Sequence, residues 1–485
     1  MKSEQTGDSE DCDATTDHLD LEIQSKEMAP PHSKLSEGEK YLVVCILSMA
    51  GIWSTMSGTI YFPALPTISA KFHVSPGVTN LSVVAYLFFQ GITPMCIAFV
   101  ADNFGRRPCI LVCLLGYCSV CIGISQVNVF WLLAFLRCLQ AGAIAPVISV
   151  SQGVLSDITT LATRGSFVGI LSGIQLIGQG FGALVGSGII DRWGWRGVFV
   201  FLAIGSGLGL ILASVVLPET NRSIVGNLSI PPTRAWNKLP IVLMPFFKKR
   251  LTNDQSTLRQ ASKLDFFAPL KILIQKEVII ALLPGGFLFA GWTMSLTTLS
   301  TTLEKYYGYS IGHIGLCYLA PGMGTLVGSI ATGRIIDYVY KRKKLAYDEE
   351  YGALPVENRP KFNILETRMH LALVPGTIAM AFFIVFGWCF QKRVSIVPIL
   401  ISTFFISLCC VSFMACVNTL LVDMFPSQGS GATSCMNLVR CLLAAAGVGA
   451  LQSMVDSIGE GGTYTLMAGF ICGSTTLLYI VGLRK

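Results

Sequence analysis

Between about residue 40 and residue 483 the chain is a train of long apolar blocks separated by short polar stretches. Six blocks fall near 40–62, 78–101, 108–126, 129–155, 164–189 and 196–217. Six more fall near 278–303, 311–337, 367–389, 395–422, 428–453 and 461–483. Each is roughly 20 residues long, enough to cross about 30 Å of hydrocarbon at a helical rise of about 1.5 Å per residue. Glycines recur inside them, as at Gly178, Gly180, Gly182 and Gly186, and small residues let membrane helices approach closely. The pattern predicts an all-α polytopic membrane protein of twelve spans in two six-helix bundles. Residues 39–217 and 278–485 would form the bundles, with a polar loop over 218–277 and a tail over 1–38.

Composition agrees with lipid as the solvent. Hydrophobic residues make up 52% and charged residues 13%, about half the ~25% charge of soluble domains. Mean hydropathy is +0.62. A very hydrophobic soluble enzyme would not place its apolar residues in blocks of membrane length. The tail is acidic, through Asp8, Glu10, Asp11, Asp13, Asp17 and Asp20, and shows no apolar periodicity. It lacks the basic-then-apolar order of a cleavable signal and reads as a disordered cytosolic segment. Most of the 16 cysteines lie within apolar blocks. Cys118 and Cys121 form a CxxC there, read as small buried thiols and not a redox pair.

Lysine and arginine orient the chain. Arg106, Arg107 and Arg164, the stretch from Arg222 to Lys263, and Lys341 to Lys344 fall on one side. Only a scatter falls on the other: Lys71, Arg192, Arg196, Lys305, Lys392 and Arg393. The positive-inside rule then puts both termini in the cytosol. The sequons at Asn221 and Asn227 would be cytosolic and unmodified. The basic run 238–263 is expected to meet anionic lipid, with no nucleic acid as partner.

The two halves echo each other. Ala98-x-x-x-Asp102-x-x-x-Arg106-Arg107 follows the second span, and Gly333-x-x-x-Asp337-x-x-x-Lys341-Arg342 follows the eighth. Asp157 and Asp423 close the fourth and tenth spans at their inner ends. Parallel six-helix repeats suggest a rocking transporter with its site between the halves. A small residue four before the aspartate lets helix ends pack closely. The aspartate can then pair with an arginine or accept from a helix N-terminus, while the basic pair anchors to the inner lipid surface. The expected inner gate is therefore Asp102, Gly105, Arg106 and Arg107, with Asp337, Lys341 and Arg342 as its counterpart.

Several strings carry a family resemblance. Asp102-Asn-Phe-Gly105-Arg-Arg resembles the loop signature of the major facilitator superfamily. Tyr86-Leu-Phe-Phe-Gln90-Gly, Leu136-Arg137-Cys-Leu-Gln140, Leu217-Pro-Glu-Thr-Asn-Arg-Ser-Ile-Val-Gly-Asn227, Gly315-Leu-Cys-Tyr318-Leu-Ala-Pro321 and Asn418-Thr-Leu-Leu-Val-Asp423 narrow it. They resemble fungal twelve-spanner drug:proton antiporters of the quinidine-resistance type. The likeness implies the major facilitator fold and proton-coupled export of drugs, polyamines or small metabolites. In the fifth span, Gln179 and Ala183 stand where that pattern has proline.

A charge inside a span is expensive and usually functional. Arg137 lies about two turns into the fourth span, with Gln140 on the same face at i+3, and Arg440 lies midway along the eleventh. The resemblance implies a proton-coupling role for Arg137, with Gln140 beside it. The spans offer no mid-membrane carboxylate to titrate, which leaves Asp157 or Glu304 near span ends as the proton carrier, or Arg137 itself acting on bound water. Polar and aromatic candidates for a midplane substrate cavity are Tyr86, Gln90, Trp292, Thr293, Tyr318, Asn418 and Asn437. The chain shows no paired histidine ligands, no phosphate loop and no nucleophile triad. No enzyme activity, cofactor or metal is expected. The expected partners are a small-molecule substrate, protons and the bilayer, with the protein acting as a monomer. The plasma membrane is the expected location, a vacuolar or other internal membrane the alternative. The competing reading is an uptake carrier or facilitator of the same fold.

Overall fold

The computed structural model describes residues 33–232, 235–237, 258, 273–351, 364–424 and 429–483. Helices dominate: α1 (Glu37–Thr59), α2 (Leu65–Phe72), α3 (Pro76–Phe104), α4 (Arg106–Ser125), α5 (Phe130–Ile158), α6 (Leu161–Val216), α7 (Arg222–Val225), α8 (Lys276–Tyr307), α9 (Ile311–Cys317), α10 (Leu319–Tyr351), α11 (Ile364–Gln391), α12 (Ile396–Met424) and α13 (Gly429–Leu483). No strand occurs among the described residues. Polar caps mark where spans leave the apolar phase. Ser36 and Glu39 form a reciprocal box at the start of α1, and Ser75 caps α3 ahead of Pro76, each satisfying otherwise orphaned N–H groups.

Ten described elements are long and apolar enough to cross a membrane. Two of them, Ser166–Val216 and Thr433–Ile480, run to 51 and 48 residues, about twice a membrane thickness. Each contains a glycine in a conformation that side chains resist: Gly194 (φ 71°, ψ 175°) and Gly459 (φ 72°, ψ 172°). The chain reverses at both. Along α6, Gly178 meets Ile52, Gly186 meets Ile60, and after the turn Phe199 meets Tyr61 and Gly205 meets Trp53. Along α13, Gly447 meets Met294, and after the turn Tyr464 bonds Thr298 and Phe470 stacks on Phe287. Ten elements therefore make twelve crossings, in two six-helix bundles. The turns also repeat in sequence: Asp191-x-x-Gly194-x-x-Gly197 matches Asp456-x-x-Gly459-x-x-Gly462.

One expectation changes. The eighth span does not end at 337; α10 continues to Tyr351, so positions 341–344 ride on a helical extension and not in a loop.

Glycine rows set the helix contacts. Gly178, Gly182 and Gly186, spaced by four, let α6 lie against α1, where a Cβ would strike Ile52, Thr55, Thr59 or Ile60. Gly324 and Gly328 do the same for α10 against the Phe404 and Leu408 carbonyls of α12. Gly180 sits off the α1 row and meets Gly322 of the other bundle, backbone to backbone. The side on which α1 begins is called inner here, following the charge pattern. Contacts between the bundles run from mid-height outwards: Gly91 with Cys441, Gly77 with Gln452, Gly315 with Ser187, and Ser300 Oγ donating to the Phe62 carbonyl at 2.9 Å. Residues 288–300 of α8 are buried without a break. The outer side is sealed.

Candidate functional site

At the inner end of the N-terminal bundle, a polar collar forms where α3 turns into α4. Gly105 makes the turn at φ +115°, and a Cβ there would lie 2.4 Å from Glu219 Oε2. Only glycine leaves room for that carboxylate at the α4 N-terminus. Glu219 accepts from the backbone N–H of Arg106 at 2.9 Å, Arg107 at 3.3 Å, and Thr220 and Asn221 at 3.0 Å each. An anion here complements the helix dipole and satisfies its free donors. Burial pushes the Glu219 carboxyl up from its ordinary range, and these N–H donors pull it back. Arg106 donates from Nε to Asp157 and pairs through Nη1 with Asp102 at 2.9 Å. Asn221 Nδ2 holds the Asp102 carbonyl at 2.7 Å, and Arg222 Nη2 holds that of Asp157 at 2.8 Å.

The collar is built within the N-terminal bundle and the chain just after it. Arg107 does not anchor to lipid: it is 5% exposed and donates from Nε, Nη1 and Nη2 to the carbonyls of Leu217, Trp236 and Ser214. Its planar fork has more to gain from three fixed carbonyls than from headgroups. Arg342 is exposed; the side chains of Asp337 and Lys341, like that of Asp423, lie outside the described residues. Glu219, Asn221 and Arg222 were not among the expected gate or site residues, although they belong to the string that carries the family resemblance. The signal was present as a carboxylate, an amide and a guanidinium within five residues of the expected span end at 217. Glu219→Ala orphans four N–H donors, and one charge-assisted bond contributes about 1.5–3 kcal/mol. It is expected to destabilise by about 3 kcal/mol or more, read as a large drop in the thermal unfolding midpoint of purified protein; an unchanged midpoint would refute the capping role.

Higher in the same bundle sits Arg137, 1% exposed. Its guanidinium lies between two tyrosine rings, 4.1 Å from the centroid of Tyr61 and 4.2 Å from that of Tyr86. Nη1 donates to Gln140 Oε1 at 2.6 Å, and Gln140 Nε2 reaches Cys121 Sγ at 3.1 Å. Tyr61 and Ser82 hydroxyls pair at 2.8 Å. Nε of Arg137 has no partner, and no carboxylate pairs with it among the described residues. The structure thus joins Arg137, Gln140 and Tyr86. Asp157 stands apart, twenty residues along α5, about 30 Å away. Tyr61 was not anticipated, because an aromatic at a span end reads as an interface residue.

The bundles meet around a second set. Trp292 and Tyr318 line a cavity of about 10 Å³ with Thr59, Gln179, Gly180, Ala183, Leu296, Pro321, Gly322 and Thr325, room for about one water. Gln179 and Ala183, the departures from the family pattern, are in its wall. Trp292 Nε1 donates to Ser407 at 2.8 Å and Tyr318 OH to the Leu296 carbonyl at 2.5 Å. On another face, Asn437 Nδ2 of α13 donates across the interface to the Gln90 carbonyl of α3 at 2.9 Å. Arg440 reaches Asn437 Oδ1 through Nε at 3.1 Å and Nη2 at 2.8 Å. Thr293 bonds its own helix at the Phe289 carbonyl, and Asn418 accepts from Thr433. These two are not drawn into either set.

Comparison with known proteins fits this arrangement. The chain is 48% identical over 464 residues to "MFS antiporter QDR2" of Candida albicans, covering 95% of this chain and 92% of that one. It is 37% identical over 471 residues to "Quinidine resistance protein 1" of Saccharomyces cerevisiae, covering 93% and 84%. A solved D-xylose-proton symporter shares the fold with a TM-score of 0.65 at 14% identity, over 90% of this chain and 97% of that one. The family model of the Major Facilitator Superfamily matches residues 47–448. With two bundles, a sealed outer face and a match that runs through both, the chain belongs to the major facilitator superfamily.

Proposed function

We propose that this protein is a secondary active transporter that exports a small organic solute, whether drug, polyamine or metabolite, in exchange for protons. Transport proceeds by alternating access, with the solute held between the bundles. The observation that carries the reading is the one-sided interface: glycine-lined contacts and a fully buried stretch of α8 seal the outer half. Rocking about such an interface exposes one site to each side in turn. The relatives named as antiporter and resistance protein support export and exchange.

In this reading Tyr86, Gln90, Trp292, Tyr318 and Asn437 border the path, and Arg137 with Gln140 couples protons to it. The collar of Asp102, Gly105, Arg106, Arg107 and Asp157 fixes the inner ends of the first bundle, with Asp337, Lys341 and Arg342 as its counterpart. The plasma membrane is the proposed location, where a pH gradient is available to drive export.

The test is transport in proteoliposomes under an imposed pH gradient. One pH unit is worth about 1.4 kcal/mol, so one-for-one exchange is expected to concentrate substrate about tenfold per unit. A protonophore should collapse the accumulation. Counterflow that runs equally well with and without the gradient would instead identify an uptake carrier or facilitator.

A further inference from the structure

The membrane interior of this protein is one-sided in charge. No aspartate or glutamate occurs in residues 40–101, 103–156, 158–190, 278–303, 305–336, 367–422 or 424–455. The acids that bound these stretches lie at span ends. Two arginines stand inside the spans, Arg137 about two turns from the outer end of α5 and Arg440 near mid-height, and their surroundings differ. Arg137 is enclosed within one bundle, between two rings. Arg440 is half-buried and stands where α13, α8 and α3 meet, at the junction of the bundles.

Its height is fixed by its neighbours. Asn437, which holds it, bonds the carbonyl of Gln90, and Gln90 is fourteen residues from each end of α3. Next to it, Cys441 packs on Gly91. A lipid headgroup does not reach that depth. The head group of Arg440 is pre-positioned: Nε and Nη2 share one acceptor, Asn437 Oδ1, and the Phe289 ring lies 4.9 Å away. Apart from the neighbouring Cys441 thiol, Nη1 meets no acceptor among the described residues, and no described carboxylate pairs with the group. The free end of the fork therefore presents two donors, the geometry that takes a carboxylate in bidentate fashion. An uncompensated guanidinium in the hydrocarbon layer is costly unless an anion visits it. Beside it the rings of Phe289 and Trp292, with centroids 5.4 Å apart and both buried in this state, form an apolar wall.

We infer that Arg440 is a substrate-binding residue and that the solute carried between the bundles is a small organic carboxylate with an apolar or aromatic body. A cation would meet like charge there and no acid to balance it. An inside-negative membrane potential also drives such an anion outwards. This assignment rests on the proposed transport path between the bundles, but not on its coupling to protons.

The probes are 1-naphthoate, its neutral analogue 1-naphthamide, and tetraphenylphosphonium, with purified full-length protein in nanodiscs. Naphthoate is expected to bind, and naphthamide at least tenfold more weakly. R440Q should weaken naphthoate at least tenfold, while R440K recovers part of the affinity by keeping the charge without the fork. Monodisperse elution of both variants controls for folding, and the naphthoate–naphthamide comparison in the unaltered protein stands independently of it. Equal binding of the acid and the amide, or naphthoate affinity unchanged in R440Q, overturns the assignment. Counterflow in liposomes separates this from the transport reading. Tetraphenylphosphonium counterflow that R440Q leaves intact keeps the carrier and overturns the anion site. Arg440-dependent naphthoate binding without counterflow of any probe keeps the anion site and refutes the carrier.

Discussion

Replacing Arg137 with lysine is expected to abolish transport as thoroughly as replacing it with alanine, while the protein still reaches the membrane. The reason is shape as much as charge. The guanidinium is a plane inserted between the rings of Tyr61 and Tyr86, at 4.1 and 4.2 Å, and a desolvated contact of this kind contributes about 2 kcal/mol. Lysine carries a compact, strongly hydrated charge that cannot stack on two faces and hydrogen-bond sideways at once. The 2.6 Å bond to Gln140 would be lost as well. Losing about 3 kcal/mol of this arrangement in the rate-limiting state corresponds to roughly a hundredfold in rate. Folding is spared more than function, because an alanine also removes a buried charge whose desolvation opposes folding. Initial rates in proteoliposomes, normalised to reconstituted protein, decide the matter. If R137K keeps more than a tenth of the rate, the planar stack is not part of the mechanism.

The twelve crossings were legible because lipid enforces a crude rule: apolar runs of membrane length, interrupted by charge. The boundaries followed less well where polarity and helicity part company. The outer turns at Gly194 and Gly459 are helical almost throughout, so hydropathy saw two spans where the backbone has one element with a single reversed residue. The extension of α10 to Tyr351 was unreadable for the converse reason, since its basic residues suit a loop and a solvated helix equally. Among the candidate residues, the contact of Arg137 with Gln140 was readable because a charge in a span is rare and i, i+3 places the two on one face. Asp102 and Arg106 were readable from their spacing. Glu219 was not assigned a role: it lies 113 residues from the N–H of Arg106 that it accepts, and no periodicity connects them. Arg107 was misread for a related reason. Its acceptors are carbonyls of a distant segment, which carry no side-chain signature.

A leucine at Gly322 is expected to hold the transporter open to the outside and to reduce transport below detection without preventing folding. The argument starts from the crossing of α6 and α10. A Cβ at Gly322 would lie 2.3 Å from the Gly180 carbonyl oxygen, and one at Gly180 would lie 3.0 Å from the Gly322 oxygen. These neighbours are backbone, so no rotamer change relieves the clash. The bundles must separate by the thickness of a side chain, and that separation opens the sealed outer half along Gly315–Ser187 and Ser300–Phe62. Inside each bundle, the rows Gly178, Gly182, Gly186 and Gly324, Gly328 are untouched, so each half keeps its packing. The substitution therefore acts on the equilibrium between states and not on the fold. Strain of even ~3 kcal/mol in the outward-closed state shifts that equilibrium more than a hundredfold. Paired spin labels at exposed outer positions, Trp193 and Ile458, should report a longer distance in G322L than in the unaltered protein, with a similar melting midpoint. G322A, with a single methyl, should fall between them. An unchanged distance together with normal transport would mean that the bundles do not pivot on this glycine contact, and the closed outer face would need another explanation.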